Sequence, residues 1–333
     1  MKAIALVTSG GDAPGMNAAI RAVTRLAYAE GFQVYGFEKG WEGLITNTFR
    51  KLTPRSVGGI IHLGGTILYT SRCDAFKTEE GLEKAAQTLA ENKIASLIVI
   101  GGDGSFRGAY ALSKKTDTQI IGIPATIDND IFGTEETIGF DTAVNTAVAE
   151  IDKIRDTAVS HERIFIVEVM GRTRGFLAAT IGLAVGAETI LVPEVKINEA
   201  EIVRTMKENT AKGKRSGIIV AAEGVKSTNK LMKTIEKETG AEVRFSTLGY
   251  VQRGGNPTAR SRLLACLFAE KAVELAALGK ENSIAGIQDG RITQVKLEES
   301  CRKEKPSSPQ LVALAKMLAA YYRRQPKNTL AMS

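Results

Sequence analysis

Short strand-like runs, most of them apolar, each ended by a loop and followed by a helix-sized segment, recur along nearly the whole chain. They fall at residues 4–7, 33–37, 97–100, 120–123, 164–169, 189–192, 218–221, 242–247 and 283–287. Runs such as Leu97-Ile98-Val99-Ile100 suit strands covered on both faces. Their alternation with helical segments predicts a parallel-sheet α/β architecture. Helices are expected at residues 17–29, 55–62, around 140–155, at 199–211 and 229–237, after Pro257, and from Pro309 to Tyr322. Trp41 is expected on a loop. Residues 303–309, with Pro306 and Pro309, read as a polar linker. A length of 333 residues leaves room for two domains.

Composition narrows the function classes. Apolar residues make up 44% and charged residues 24%, the balance of a soluble globular protein. The formal charge of +7 fits sites for anions such as phosphates. Spread-out basic residues and 6% aromatics argue against nucleic acid. Three scattered cysteines, Cys73, Cys266 and Cys301, make no disulfide framework or metal cluster and suit a reducing cytoplasm. The first apolar run is too short for a signal-peptide core or a membrane span. With two histidines, His62 and His161, proton transfer falls mainly to Asp or Glu.

The loops carry the chemistry. Gly10-Gly11 and Gly101-Gly102 each follow a strand, so phosphate oxygens can approach bare backbone N–H groups at the start of a helix. Neither loop is a P-loop or a Rossmann fingerprint. Thr126-Ile127-Asp128-Asn129-Asp130 leaves another strand at the edge where open α/β sheets bind ligands. One of its carboxylates can take a proton from a substrate hydroxyl, and the other can support it. Taken alone, the segment reads as a solvated turn, and the glycine loops elsewhere in the chain turn the reading toward chemistry. Asp103 is a natural magnesium ligand beside phosphate oxygens. Arg72, Arg163, Arg172, Arg244 and Arg253 lie near strand ends or glycine loops, and Glu223 follows a strand. Together these residues describe a magnesium-dependent phosphoryl-transfer enzyme with an Asp base. Nothing in this reading names the acceptor.

The same segments resemble the bacterial ATP-dependent 6-phosphofructokinase family. The resemblance rests on Thr8-Ser9-Gly10-Gly11-Asp12-Ala13-Pro14-Gly15-Met16-Asn17, Gly101-Gly102-Asp103-Gly104-Ser105, Thr126-Ile127-Asp128-Asn129-Asp130, Val167-Glu168-Val169-Met170-Gly171-Arg172 and Gln252-Arg253-Gly254-Gly255. It runs from the first strand to about Gln288. It implies two similar Rossmann-like three-layer α/β domains with mainly parallel sheets. The implied division is 1–138 plus 251–301, binding ATP, against 139–250 plus 302–333, binding fructose 6-phosphate.

The resemblance also implies roles. Asp128 would be the base for the sugar 1-hydroxyl, with Asp130, Thr126, Arg172 and Gly11 completing the catalytic set. Gly11, Arg72, Cys73, Gly102, Asp103, Gly104, Ser105 and Gly108 would hold ATP and Mg²⁺, the metal on Asp103. Thr126, Asp128, Asp130, Met170, Gly171, Arg172, Glu223, Tyr250, Gln252 and Arg253 would hold fructose 6-phosphate. Arg163 and Arg244 would reach in from a neighbouring subunit of a homotetramer. Arg21, Arg25, Arg155, Glu188, Lys212, Lys214 and Arg215 stand where an ADP or phosphoenolpyruvate effector would bind.

This chain departs from the family pattern in several places. Ala125 stands where ATP users usually carry Gly and pyrophosphate users Lys. Gly104 leaves room for the nucleotide's inner phosphate. Tyr250 replaces a usual His, which implies weakened or altered sugar-phosphate affinity. Pro54 and Gly59 replace the usual Arg and Asp of the effector site. The alternatives are a pyrophosphate-dependent relative, a catalytically weak regulatory sugar-phosphate- or nucleotide-binding subunit, and an NAD or lipid kinase. The last lacks the Thr-Ile-Asp-Asn-Asp and Met-Gly-Arg segments.

Overall fold

The computed structural model describes residues 2–279, 281–307 and 309–319. Twelve strands form two sheets. They are β1 (Ala3–Ser9), β2 (Gln33–Phe37), β3 (Phe49–Leu52), β4 (Ile94–Gly101), β5 (Gln119–Thr126), β6 (Ile138–Gly139), β7 (Ile164–Val169), β8 (Thr189–Leu191), β9 (Gly217–Ala222), β10 (Val243–Thr247), β11 (Ser283–Gln288) and β12 (Arg291–Lys296). The first sheet has the order β12-β11-β5-β4-β1-β2-β3, with β6 paired to β5, and the second the order β10-β7-β9-β8. Among the described residues only β2–β3 and β11–β12 pair antiparallel, both at an edge of the first sheet.

The apolar runs explain the layers. In β1, β4 and β5, residues alternate between two cores. Leu6, Ile98, Ile100, Ile121 and Ile123 face one, and Ala5, Val7, Leu97, Val99 and Ile120 face the other. Both faces of the sheet are therefore covered, as a parallel sheet requires. The first core continues into the second sheet through Ile166, Val167 and Ile219. Helices Phe140–Ser160 and Ala259–Leu278 pack between the two halves, and Thr142 Oγ1 and Ser261 Oγ hydrogen-bond between them at 2.8 Å.

All nine expected strands are present. The short β6 and the two antiparallel partners, β3 and β12, were not expected, because polar edge strands such as Arg291–Lys296 lack the apolar run. The helix expected at 55–62 is a series of turns instead. Thr53 and Ser56 exchange side-chain-to-backbone hydrogen bonds there, and Gly59 takes φ +71°. Trp41 opens a short helix, Trp41–Ile45, rather than sitting on a loop. Residues 303–307 form no free linker, because Lys305 and its neighbours pack on the junction of the two sheets. The last helix is described over Pro309–Ala319, so its expected continuation to Tyr322 lies outside the described residues. Among the described residues, no helix is long and apolar enough to cross a membrane.

Gly122 shows how tightly β5 is held. A Cβ there would lie 2.6 Å from Ile284 Cγ2 and 2.7 Å from the Phe106 ring. Gly122→Ala is expected to lower unfolding free energy by about 1–3 kcal/mol through overpacking, read from urea denaturation midpoints.

Candidate active site

β1, β4 and β5 lie side by side and parallel, and their C-terminal ends deliver Gly10-Gly11, Gly102-Asp103 and Asp128 to one edge. β1 has β2 on one side and β4 on the other, so the chain changes direction across the sheet there. That switch point opens a crevice, as in other open α/β sheets. The cleft here has a volume of about 570 Å³.

Its floor needs glycine for two reasons. Gly10 takes φ +86°, and a Cβ on Gly101 would lie 2.6 Å from Ser9 O. Bare backbone also leaves N–H groups open to phosphate oxygens. The helix Asp103–Leu112 starts at this floor with no side chain capping it, so its positive end faces the cleft. Ser105 Oγ is buried beneath Gly10 and has no hydrogen-bond partner. An orphaned hydroxyl beside open amides suits a phosphate-bearing ligand. Gly104 is exposed, with nothing within 4 Å of the place its Cβ would take.

The acidic end of the cleft is drier. Asp128 is 8% exposed, whereas Asp130 is half-buried. Burial, reinforced by the neighbouring Asp130 charge, pushes the Asp128 carboxyl up to about 6, against the pull of Arg172 and Arg253. Burial also raises Asp130, with Asp103 adding to it and Arg172 and Lys305 opposing. Arg172 comes from the second sheet and stands with Nε 3.9 Å from Asp128 Oδ2. Its backbone has φ +50°, held in part by its N–H donating to Glu223 Oε1 at 2.6 Å. Asn129, between the two acids, has φ +52° and donates from Nδ2 to the Glu135 carbonyl at 3.0 Å. Thr126 Oγ1 accepts from the Asp128 N–H at 3.2 Å and so shapes the turn.

Thr126, Asp128, Asp130, Gly11, Gly102–Ser105, Gly108, Arg72, Cys73, Arg172 and Arg253 all line this one cleft. Arg253 lies against Gly11, where a Cβ would come within 3.2 Å of its guanidinium, and its charge acts on Asp128. Met170, Gly171 and Glu223 sit at the neighbouring C-terminal ends of β7 and β9. Gln252 is fully buried and bonds Met170 N and Gly249 O, so in this chain it supports the site instead of facing a ligand. Tyr250 is 77% exposed, its ring 5.3 Å from the Arg253 guanidinium carbon.

Other expected residues lie elsewhere. Arg163 and Arg244 both pair with Glu242 near the N-terminal end of the second sheet, the end opposite Arg172. Arg155 donates to Val185 O, Lys214 pairs with Glu188, and Lys212 and Glu188 line a separate cavity of about 240 Å³. Arg215 pairs with Glu162 at 3.0 Å. Arg21 and Arg25 lie on the helix Met16–Ala29, Arg25 reaching Pro54 O at 3.5 Å. Ala125 is fully buried in the apolar core, so its methyl does not face the cleft, and the donor-side space is set at Gly104.

Two features of the cleft and one beside it escaped sequence reasoning. Trp41 and Phe76 stack with centroids 4.1 Å apart and an interplanar angle of 7°, against Gly108. Arg107 Nε donates to Asp103 Oδ2 at 2.8 Å, a pairing that the i,i+4 spacing could have signalled. Lys305 approaches from the C-terminal segment, and nothing in its local sequence marks it.

Among the described residues no three His, Cys, Asp or Glu side chains cluster as a metal cage. The Asp103 charge nonetheless presses on Asp130, and Mg²⁺ commonly binds through one or two carboxylates plus substrate phosphates. The donor set fits a magnesium ion that arrives with a phosphate ligand.

Because Asp128 holds its proton more tightly folded than unfolded, its contribution to stability is present at low pH. That contribution is lost as pH rises from the unfolded value of 3.8 through about 6. Asp128→Asn is therefore expected to raise unfolding free energy at pH 8 by about 1–3 kcal/mol. Urea denaturation at pH 8 and pH 4 would show this gain shrinking at the lower pH.

Comparisons with known proteins agree with this geometry. A family model described as phosphofructokinase matches residues 3–276. The ATP-dependent 6-phosphofructokinase of Clostridioides difficile (strain 630) is 52% identical over 319 residues, 96% of this chain and 100% of that one. Its namesake from Lysinibacillus sphaericus is 50% identical, with the same coverage. The structure of phosphofructokinase from Saccharomyces cerevisiae superposes with a TM-score of 0.86 at 34% identity over 91% of this chain, which spans 45% of the yeast chain. The pyrophosphate-dependent phosphofructokinase of Marinobacter aquaeolei, 22% identical over 99% of this chain and 94% of that one, shares the fold at a TM-score of 0.81. With a match spanning the glycine floor, the Asp128–Asp130 turn and Arg172, the chain belongs to the phosphofructokinase family.

Proposed function

We propose that this chain transfers the γ-phosphoryl group of ATP to the 1-hydroxyl of fructose 6-phosphate, giving fructose 1,6-bisphosphate and ADP. The observation that carries the reading is Asp128, a buried carboxylate raised to about 6 and facing an arginine across the cleft. A base with that affinity is ionised at neutral pH yet holds a proton far better than an exposed Asp. In the proposed reaction Asp128 takes the proton from the sugar hydroxyl, whose oxygen forms a bond to the γ-phosphorus. The bond from that phosphorus to the β,γ-bridging oxygen breaks, and ADP leaves with its electrons. Arg172 and Arg253 balance the charge spread over the transferring group, which is where phosphoryl transfer needs help most.

On the donor side, the amides at the start of the helix Asp103–Leu112 and the Ser105 hydroxyl would meet the phosphates. Gly104 leaves the inner phosphate room, and the Trp41–Phe76 stack walls the cleft beyond it. Asp103 would hold Mg²⁺, which would supply positive charge to offset that of the phosphates. ATP is favoured over pyrophosphate because the space beside Gly104 stays open, with nothing within 4 Å of the place its Cβ would take.

The remaining assignments belong to the same proposal. Strands β1–β6, β11 and β12 against β7–β10 support a division into 1–138 plus 251–301 and 139–250 plus 302–333. Arg163 and Arg244, turned away from Asp128 in their own chain, would serve a neighbouring subunit of a homotetramer. The basic residues around Glu188 would receive ADP or phosphoenolpyruvate, with Arg21 and Arg25 as parts of that site supplied across an interface. Three free cysteines suit the cytoplasm.

A coupled assay for fructose 1,6-bisphosphate tests the reading. With Mg²⁺ and ATP the protein should turn over, and Asp128→Asn should lower kcat about 10²- to 10⁴-fold with little change in the KM for ATP. Turnover with pyrophosphate in place of ATP would overturn the donor assignment. An unchanged kcat in Asp128→Asn would overturn the base.

A further inference from the structure

Lys305 lies in a segment whose sequence reads as a linker, yet its ammonium is held where the two halves of the site meet. Lys305 Nζ donates to the Glu135 carbonyl at 2.9 Å and stands 5.1 Å from the Phe176 ring centroid. The Glu135 carbonyl also accepts from Asn129, the strained residue between Asp128 and Asp130. On the other side, Arg174, two residues beyond Arg172, donates to the Lys305 carbonyl and pairs with Glu304 at 3.2 Å. Arg174 is tied back to its own loop by Glu194, which also accepts from Gly175 N at 2.9 Å.

We propose that Lys305 is a positioning residue for phosphoryl transfer. Its ammonium and carbonyl join the turn carrying Asp128 and Asp130 to the loop carrying Arg172 and so fix the separation of base and arginine. The two groups come from different sheets and no strand pairing links them. Their facing distance of 3.9 Å is therefore set by what spans the junction. Lys305 bonds both sides at once and adds a positive charge near Asp130.

Lys305 is half-buried, and holding an ammonium partly out of water is unfavourable unless something compensates. Burial pushes Lys305 down to about 8, and the charges of Asp130, Glu135 and Glu136 pull the other way. A surface linker would have no reason to carry that cost, whereas a strap across an active site does. The proposal rests on the phosphotransferase reading given above, so its test includes a readout that does not depend on the substrate.

The variants are Lys305→Met, which keeps the length and removes charge and donor, and Lys305→Arg, which restores both. In Lys305→Met, kcat with ATP and fructose 6-phosphate should fall about 10- to 100-fold through misplacement of the reacting groups. The KM for ATP should stay within about twofold, because the glycine floor lies wholly in the first sheet. Lys305→Arg should recover most of the loss. Hydrogen–deuterium exchange of the ligand-free protein should quicken in Lys305→Met across both 129–136 and 171–176, and stay slow in Lys305→Arg. Wild-type kcat and wild-type exchange in Lys305→Met would overturn the proposal. Equal losses in kcat and thermal midpoint that Lys305→Arg fails to rescue would also overturn it, by making the residue merely structural. If Lys305→Met does not fold, Lys305→Gln, which keeps a donor, should fold with exchange closer to wild type but a depressed kcat. A wild-type kcat in Lys305→Gln would sink the charge role. If the wild type does not phosphorylate fructose 6-phosphate, the functional reading fails, and exchange in the two segments still decides whether Lys305 joins them.

Discussion

Two carboxylates held close together and largely out of water at the end of β5 are the constraint the rest of the site answers to. Burial raises the proton affinity of both, the Asp130 charge adds to the rise at Asp128, and Asp103 adds to the rise at Asp130. Left alone, Asp128 would hold its proton more tightly still. Arg172, brought from the second sheet, together with Arg253, pulls Asp128 back to a value from which it is ionised at neutral pH. The two-sheet architecture matters for this reason. One sheet supplies the acids, and the other supplies an opposing charge that a change in their separation would retune. The strained φ of Asn129 and of Arg172 marks the two turns where the backbone is bent to present those groups.

The donor half of the cleft follows from backbone rather than charge. Glycines at the ends of β1 and β4 are required first by packing, since a Cβ at Gly101 would meet Ser9 O. The same missing atoms leave amides open to a phosphate chain. Packing and binding thus ask for the same residue, which explains how a floor of bare peptide sits at the centre of a well-filled fold. The paired aromatics Trp41 and Phe76 complete the wall without adding a charge.

Much of this was legible in the sequence. Apolar runs placed the central strands such as β1, β4, β5 and β9, because burial on both faces leaves an unbroken apolar signature. Strand-end motifs likewise pointed to Asp128, Asp103 and the glycine loops, because open parallel sheets gather such ends on one edge. Edge strands such as β12 were missed because their outer residues are polar. The helix expected at 55–62 failed because Thr53 and Ser56 satisfy the backbone locally. The burial of Gln252 and Ala125 and the partnership of Arg163 with Glu242 depend on tertiary packing that no local pattern encodes. Lys305 is the clearest case. Flanking prolines and charges describe a solvated linker, and only the meeting of distant loops turns it into a strap.

The balance of charges at Asp128 can be measured directly. In protein labelled with ¹³C at aspartate carboxyls, the resonance absent from Asp128→Asn should titrate in the ligand-free protein. Asp128 and Asp130 interact, so the pair's upper step is what the experiment reads. The account predicts a midpoint near 6 in the native chain and a higher one in Arg172→Gln, since the lost guanidinium favours the ionised form. A midpoint near 4, unmoved by Arg172→Gln, would show that burial and Asp130 do not govern this carboxylate and would contradict the account at its centre.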